Sequence, residues 1–124
     1  METIYNISVN TCAGGDFFLL LGDFLDAFYL ADTGLQEAMI ITPPIDMEKP
    51  EYVPLLASTA HKLAIDYCLT PPHWVFDSRC YLSGTTPYFA CNAKGKLRLL
   101  FMYKSPSEFK HRNLFVDENI LVRV

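Results

Sequence analysis

The longest apolar stretch of the chain runs from Phe17 to Ala31 and has the spacing of an amphipathic helix. Asp16 precedes it as a suitable N-cap residue, and Asp23 and Asp26 mark its solvent side. We therefore predict a helix at residues 17–30 that is central to the core. The apolar residues that recur every three or four positions are Phe18, Leu21, Leu25 and Phe28. Three neighbouring residues broaden this apolar face: Leu20, Phe24 and Ala31.

Prolines set the limits of the next two predicted helices. Pro43-Pro44 closes a short helix at residues 34–41, because the residue before a proline is driven out of the helical conformation. Pro50 suits the first turn of a further helix, which continues to about residue 69. Pro71-Pro72 ends that helix and starts a short turn.

The two ends of the chain have weaker patterns. Residues 3–9 alternate weakly between apolar and polar side chains, which predicts a short strand or an ordered arm. Residues 96–104 have the spacing of a basic amphipathic helix, and the Ser-Pro-Ser-Glu sequence at residues 105–108 predicts a capping box that begins another short helix. Residues 113–124 are compatible with a hairpin or a helical turn, and we favour the turn.

These elements predict a mainly α fold, a compact single-domain bundle of about five to six helices. The domain covers residues 1–124, with residues 1–15 as an N-terminal strand or arm and residues 16–124 as the helical core. Hydrophobic residues make up 51% of the 124 residues and charged residues only 19%. More apolar surface is present than one small core accommodates, so we expect an exposed apolar patch that binds a protein partner or a second copy.

Charge is distributed unevenly along the chain. Residues 1–48 contain eight acidic and no basic residues, a net charge of −8, whereas the rest contain ten basic and six acidic residues, a net charge of +4. Two arrangements are compatible with this asymmetry. Either the two halves face each other within the fold, or the C-terminal third presents a basic face to an acidic partner.

The apolar stretch is too short and too acidic for a transmembrane helix, which needs about 20 apolar residues. The first basic residue is Lys49, so a signal peptide is not expected either. We therefore predict a cytoplasmic protein with reduced cysteines. Cys68, His73, Cys80 and Cys91 are residue types that bind zinc, but their spacing lacks the paired ligands of structural zinc sites, and we predict no metal and no cofactor.

No pattern of a nucleophile with its base stands out in the sequence, so no catalytic residue is assigned. The candidate contact segment lies instead at residues 109–115, where basic and amide side chains alternate with aromatics. Either the aromatics only anchor the tail in the core, or the segment binds a partner; in the second case Arg112 should be replaceable without a change in stability. The predicted partner-binding residues are Lys110, His111, Arg112, Asn113 and Phe115, with Trp74 shaping the adjacent surface.

The same region resembles a small uncharacterised bacterial domain. The resemblance rests on Trp74 after Pro71-Pro72, on Leu82 and Tyr88-Phe89, and on residues 105–117, which follow a Pro-x-x-Phe-(Lys/Arg)-x-Arg-Asn-(Leu/Ile)-Phe-Val-Asp pattern. It covers residues 50–124. Domains with this tail often stand behind a helix-turn-helix module, and some look like partners in toxin–antitoxin pairs, whereas residues 1–15 of this chain leave no room for such a module.

The resemblance implies a non-enzymatic interaction or regulatory domain of a bacterial gene pair, similar to an antitoxin. One alternative is a nucleic-acid-binding regulator that uses the basic side chains of the C-terminal third. A small enzyme or toxin, with a site that forms only in the fold, is the other alternative. The basic residues of the nucleic-acid alternative are Lys94, Lys96, Arg98, Lys104, Lys110 and Arg112.

Overall fold

The computed structural model describes residues 2–82, 88–89, 104–116 and 120–121. Within these ranges the chain is mainly helical, which confirms the predicted fold class. A single pair of short parallel strands accompanies the helices there. The elements are α1 (Ile4–Cys12), α2 (Phe17–Leu30), α3 (Thr33–Ile41), α4 (Tyr52–Asp66), 3₁₀ helices at His73–Phe76 and Ser78–Cys80, β1 (Tyr88–Phe89), α5 (Ser107–Lys110) and β2 (Leu114–Phe115).

The N-terminal residues form a helix, so the predicted strand or arm is wrong. Thr3 caps α1, since its Oγ1 accepts a hydrogen bond from the Asn6 backbone N–H at 3.0 Å. Ile4 and Ile7 are buried in the core, and their three-residue spacing is the helical signal that the weak alternation concealed. Because α1 packs against α2, this segment belongs to the helical core.

Helix α2 begins and ends where the sequence predicted. The Asp16 carboxylate accepts hydrogen bonds from the backbone N–H groups of Phe18 and Leu19 at 3.0 and 3.2 Å. The buried face differs from the prediction in the first turn, where Phe17 is buried and Phe18 is exposed. The cause is a tertiary contact: the Phe17 ring stacks on Tyr52 with 4.0 Å between ring centroids.

Helix α4 is the centre of the molecule, because residues 53–60 are all buried. Aromatic rings of α2 contact both ends of α4: Phe17 stacks on Tyr52, and Phe28 lies 5.3 Å from Tyr67, the residue that follows the helix. Helix α4 ends at Asp66, slightly before the predicted limit of about residue 69, since Cys68 adopts a left-handed φ of 59°.

The C-terminal segment packs on α4 but is built differently from the prediction. Ser105 does not cap a helix; its Oγ donates to the Val116 carbonyl and accepts from the Val116 N–H, both at 2.8 Å, and so closes a loop. Residues 114–115 form β2, which pairs with β1, so the favoured helical turn is wrong at this point. The helix predicted at residues 96–104 lies outside the described residues except for Lys104.

Candidate interaction surface

The six predicted contact residues are divided between the surface and the core. Lys110 and His111 are exposed, and Asn113 and Phe115 are half-buried. Phe115 stacks on the Phe89 ring at 4.9 Å, and Asn113 has a left-handed φ of 64° that turns the chain into β2. Arg112 and Trp74 are buried, which corrects their assignment to a contact surface.

Trp74 joins two elements of the fold. Its indole Nε1–H donates a hydrogen bond to the backbone carbonyl of Ile40 at 3.0 Å. This bond ties the 3₁₀ helix His73–Phe76 to the end of α3 and satisfies a carbonyl that the helix leaves unpaired. Trp74 is therefore a structural residue rather than part of a surface.

The Arg112 side chain is only 1% exposed. One terminal nitrogen of its guanidinium donates to the Glu108 carbonyl and the other to the Val75 carbonyl, both at 2.9 Å. The guanidinium carbon lies 5.0 Å from the centroid of the Tyr81 ring, a cation–π contact. Within the described part of the chain none of its hydrogen-bond partners is a carboxylate, so neutral dipoles stabilise this charge.

His61 of α4 completes the surroundings of Arg112. Its Nδ1 lies 3.3 Å from the second terminal nitrogen of the guanidinium. Partial burial, followed by the Arg112 charge, lowers the pKa of the His61 ring below its ordinary value. Burial also lowers the pKa of Arg112 and raises the pKa of the neighbouring Cys80 thiol. The uncharged forms of His61 and Cys80 are therefore favoured around one buried cation.

The possible zinc ligands do not come together in the described residues. Cys80 is buried, and its Sγ donates to the Trp74 carbonyl at 3.2 Å, whereas Cys68 and His73 are exposed. No group of three His, Cys, Asp or Glu residues within the described ranges stands close enough to hold a metal ion. Cys91 lies outside those ranges. In the part of the chain that the structure describes, no helix is long and apolar enough to span a membrane.

The N-terminal half exposes all of its acidic residues. Among the described ion pairs, Asp46 with Arg79 at 2.9 Å joins this half to the basic half, and it lies at the surface. The acidic residues of this half are therefore not buried in ion pairs with basic residues. The eight exposed acids are Glu2, Asp16, Asp23, Asp26, Asp32, Glu37, Asp46 and Glu48.

Large apolar side chains are exposed between these acids. Leu19 is 65% exposed and Leu30 is 89% exposed, both on the outer face of α2. With Asp23 and Asp26 they follow intervals of four, three and four residues, so the four residues line one side of the helix. We call these four residues the α2 stripe. The other exposed apolar residues of this half are Tyr5, Val9, Phe18, Leu35, Ile41 and Ile45.

Sequence reasoning missed Leu19 and Leu30 as surface residues. It placed Asp23 and Asp26 correctly on the solvent side, and the signal for the leucines was already there. Each leucine lies four residues from one of these aspartates, and residues at that interval share a face of a helix.

A pocket of about 210 Å³ lies between the end of α3 and residues 70–73. Ile40, Ile41 and Pro71 form apolar walls, and Glu37 supplies a carboxylate.

No protein-family model, curated protein or solved structure in the comparisons matches this chain.

Proposed function

We propose that the chain is a non-enzymatic protein-interaction domain, and that the α2 stripe binds a basic amphipathic helix of a partner protein. The observation that carries this proposal is the exposure of Leu19 and Leu30 beside two carboxylates on a helix whose other face is core. Burying a leucine side chain is worth about 1.5–3 kcal/mol, which this surface leaves available to a partner.

The dimensions of the stripe fit one partner helix. The stripe extends from Leu19 to Leu30, eleven helical steps with a total rise of roughly 16 Å. Leu19 and Leu30 lie at its ends, and the two aspartates lie between them. A helix with apolar residues at matching ends and a Lys or Arg between them would bury both leucines while its charge pairs with Asp23 in the middle of the contact.

Charge selects among the kinds of partner. The net charge of −8 over residues 1–48 attracts a basic protein and repels the phosphates of nucleic acid. It also disfavours a second copy docked stripe to stripe. The nucleic-acid alternative would need the basic C-terminal third, where Lys104 and Lys110 are exposed but Arg112 is buried.

A bacterial gene pair remains part of this proposal, with the partner being the product of the adjacent gene. A regulatory, antitoxin-like role follows if that product carries a basic amphipathic helix. Coexpression of the two genes followed by size-exclusion chromatography tests whether the two products form a complex. If the α2 stripe forms the contact, Leu30→Ser should weaken that complex.

A direct test uses a synthetic helical peptide of leucine and lysine as the probe. The dissociation constant is measured by titration calorimetry for the unchanged chain, for Leu30→Ser and for Asp23→Lys. We expect each variant to bind at least about tenfold more weakly, equivalent to about 1.4 kcal/mol, without a change in melting temperature. A scrambled peptide of the same composition should bind weakly to all three.

Asp77→Lys is the matched control, because it makes the same charge change at an exposed residue outside residues 2–48. It should retain most of the affinity. Equal weakening by Asp77→Lys and Asp23→Lys would mean that the peptide responds to net charge alone. Tight binding of an oligonucleotide that weakens steeply with salt would favour the nucleic-acid alternative.

A further inference from the structure

We propose that protonation of His61 releases the C-terminal segment, residues 105–116, from the helical core, so that this contact is a pH-sensitive latch. The geometry that carries the proposal is the contact of a buried arginine with a histidine, where a carboxylate would ordinarily be expected. The latch is separate from the α2 stripe and does not depend on the function proposed for it.

Arg112 joins three elements at one point. Its guanidinium binds the Glu108 carbonyl in its own segment and the Val75 carbonyl of the first 3₁₀ helix. Through His61 it also contacts α4. Loss of the Arg112 contacts would therefore loosen the segment from two neighbours together.

The contact requires a neutral histidine. A guanidinium can only donate, so His61 Nδ1 must accept and the ring proton must be on Nε2. Protonation places a hydrogen on Nδ1, which removes the acceptor. It also puts a second positive charge 3.3 Å from the guanidinium, so the two charges repel each other.

The surrounding groups act on His61 in both directions. From the C-terminal segment, the Glu108 carboxylate favours the protonated ring and partly offsets Arg112, whereas His111 has a smaller effect that disfavours protonation. The first 3₁₀ helix contributes the uncharged Phe76 ring, 5.2 Å from the His61 ring. On α4, Lys62 is paired with Asp66 at 3.0 Å.

Four further groups lie around Arg112 and its neighbour Cys80. Tyr81 and Cys80 act on the Arg112 charge, and Asp77 and Arg79 act on the Cys80 thiol with opposite signs. Among the described carboxyl groups, Glu108 acts on both His61 and Arg112. Its negative charge partly offsets the repulsion between a protonated His61 and Arg112.

The direction of the pH effect follows from the lowered pKa of His61. An unfolded or released segment leaves this histidine near its ordinary pKa of about 6.5. The closed state binds the proton less readily, because burial and then Arg112 oppose the charge. The latch is therefore fully stable above about pH 6.5 and loses stability as the pH falls through the lowered pKa.

Amide hydrogen exchange can detect this release. Two backbone N–H groups outside the segment report on it: that of Leu82, bonded to the Arg112 carbonyl at 3.2 Å, and that of Tyr88, bonded to the Asn113 carbonyl at 3.1 Å. After correction for intrinsic rates, their protection at about pH 5 should be at least about tenfold lower than at about pH 7.5, the effect of losing one charge-assisted hydrogen bond. Amides of the α2 interior should change much less.

His61→Gln separates titration from structure, because its side-chain oxygen accepts from Arg112 without binding a proton. In this variant the extra loss of protection at low pH should disappear. His73→Gln removes an exposed histidine that does not act on His61 and should retain the loss. Equal behaviour of His61→Gln and the unchanged chain would overturn the proposal.

The unchanged protein supplies a second, independent measurement if His61→Gln does not fold. The His61 ring is titrated by NMR together with the Leu82 and Tyr88 amides. Exchange of these amides should accelerate with the protonation of His61. Protection that stays constant while His61 becomes charged would also overturn the proposal.

Discussion

The α2 stripe and the C-terminal segment at residues 105–116 depart from the usual placement of side chains in opposite directions. In the stripe, leucines face solvent on a helix that has a fully apolar inner face. In the segment, which is basic by sequence, Arg112 is buried among backbone carbonyls. One region exposes what a core ordinarily contains, and the other buries what a surface ordinarily contains.

The two departures have different physical meanings. An exposed leucine forgoes hydrophobic stabilisation but leaves no polar group unsatisfied, so the fold tolerates it and a partner can use it. A buried guanidinium must be matched by acceptors, and each acceptor then depends on it. The stripe should therefore be dispensable for stability, whereas Arg112 should not.

Replacing Arg112 by alanine should give the largest effect. The change removes the guanidinium donor from the Val75 carbonyl and from the Glu108 carbonyl, which among the described donors keeps only the Ser58 hydroxyl at 3.4 Å. At about 1–3 kcal/mol for each lost bond, about 2–6 kcal/mol of unfolding free energy should be lost. Urea denaturation followed by circular dichroism measures it. Lys110→Ala, at an exposed position in the same segment, is the control and should cost less than about 0.5 kcal/mol.

A small effect of Arg112→Ala on stability would reverse this comparison. The arginine would then behave as the surface residue that the interleaved basic and aromatic pattern suggested. Its role in partner binding would again be the better hypothesis for the segment.

Leu25→Ala tests the inner face of α2 and should give the next largest effect. Leu25 is 2% exposed and lies in the core cluster with Leu21 and Phe24. Large-to-small changes at such sites cost about 2–5 kcal/mol, which should be clear in urea melts. A loss below about 0.5 kcal/mol would mean that α2 contributes little to the core.

Trp74→Phe should have an intermediate effect. The substitution retains an aromatic ring but removes the N–H group that donates to the Ile40 carbonyl at 3.0 Å. Leaving that carbonyl unpaired should cost about 1–3 kcal/mol in thermal or urea unfolding followed by circular dichroism. Unchanged stability would indicate that Trp74 does not tie the 3₁₀ helix to α3.

Local patterns predicted the helices that carry their own signals. Asp16 caps α2 and Pro43-Pro44 follows α3, because caps and prolines act within a few residues of chain. Ser105 shows where this reasoning fails: its hydroxyl could cap a helix, but it binds Val116 eleven residues later instead. A local motif competes with tertiary partners that the sequence does not reveal.

The candidate site was less predictable than the fold for the same reason. Arg112 is surrounded by groups from α4 and the 3₁₀ helix that are distant in sequence, so its charge alone suggested a surface position. The exposure of Asp23 and Asp26 was predicted, because an amphipathic helix defines its own outer face. That face then includes Leu19 and Leu30 by helical geometry alone.

Leu30→Ala should have the smallest effect on stability and gives the sharpest contrast within one helix. It makes the same chemical change as Leu25→Ala only five residues away, but Leu30 is 89% exposed and Leu25 is buried. Because the Leu30 side chain is already in water in the folded state, its truncation removes little buried apolar area. The unfolding free energy should therefore change by less than about 0.5 kcal/mol. Urea melts of both variants under identical conditions measure the difference. A loss comparable to that of Leu25→Ala would show that Leu30 already has a covering partner in solution, and concentration-dependent melting would then identify that partner as a second copy of the chain.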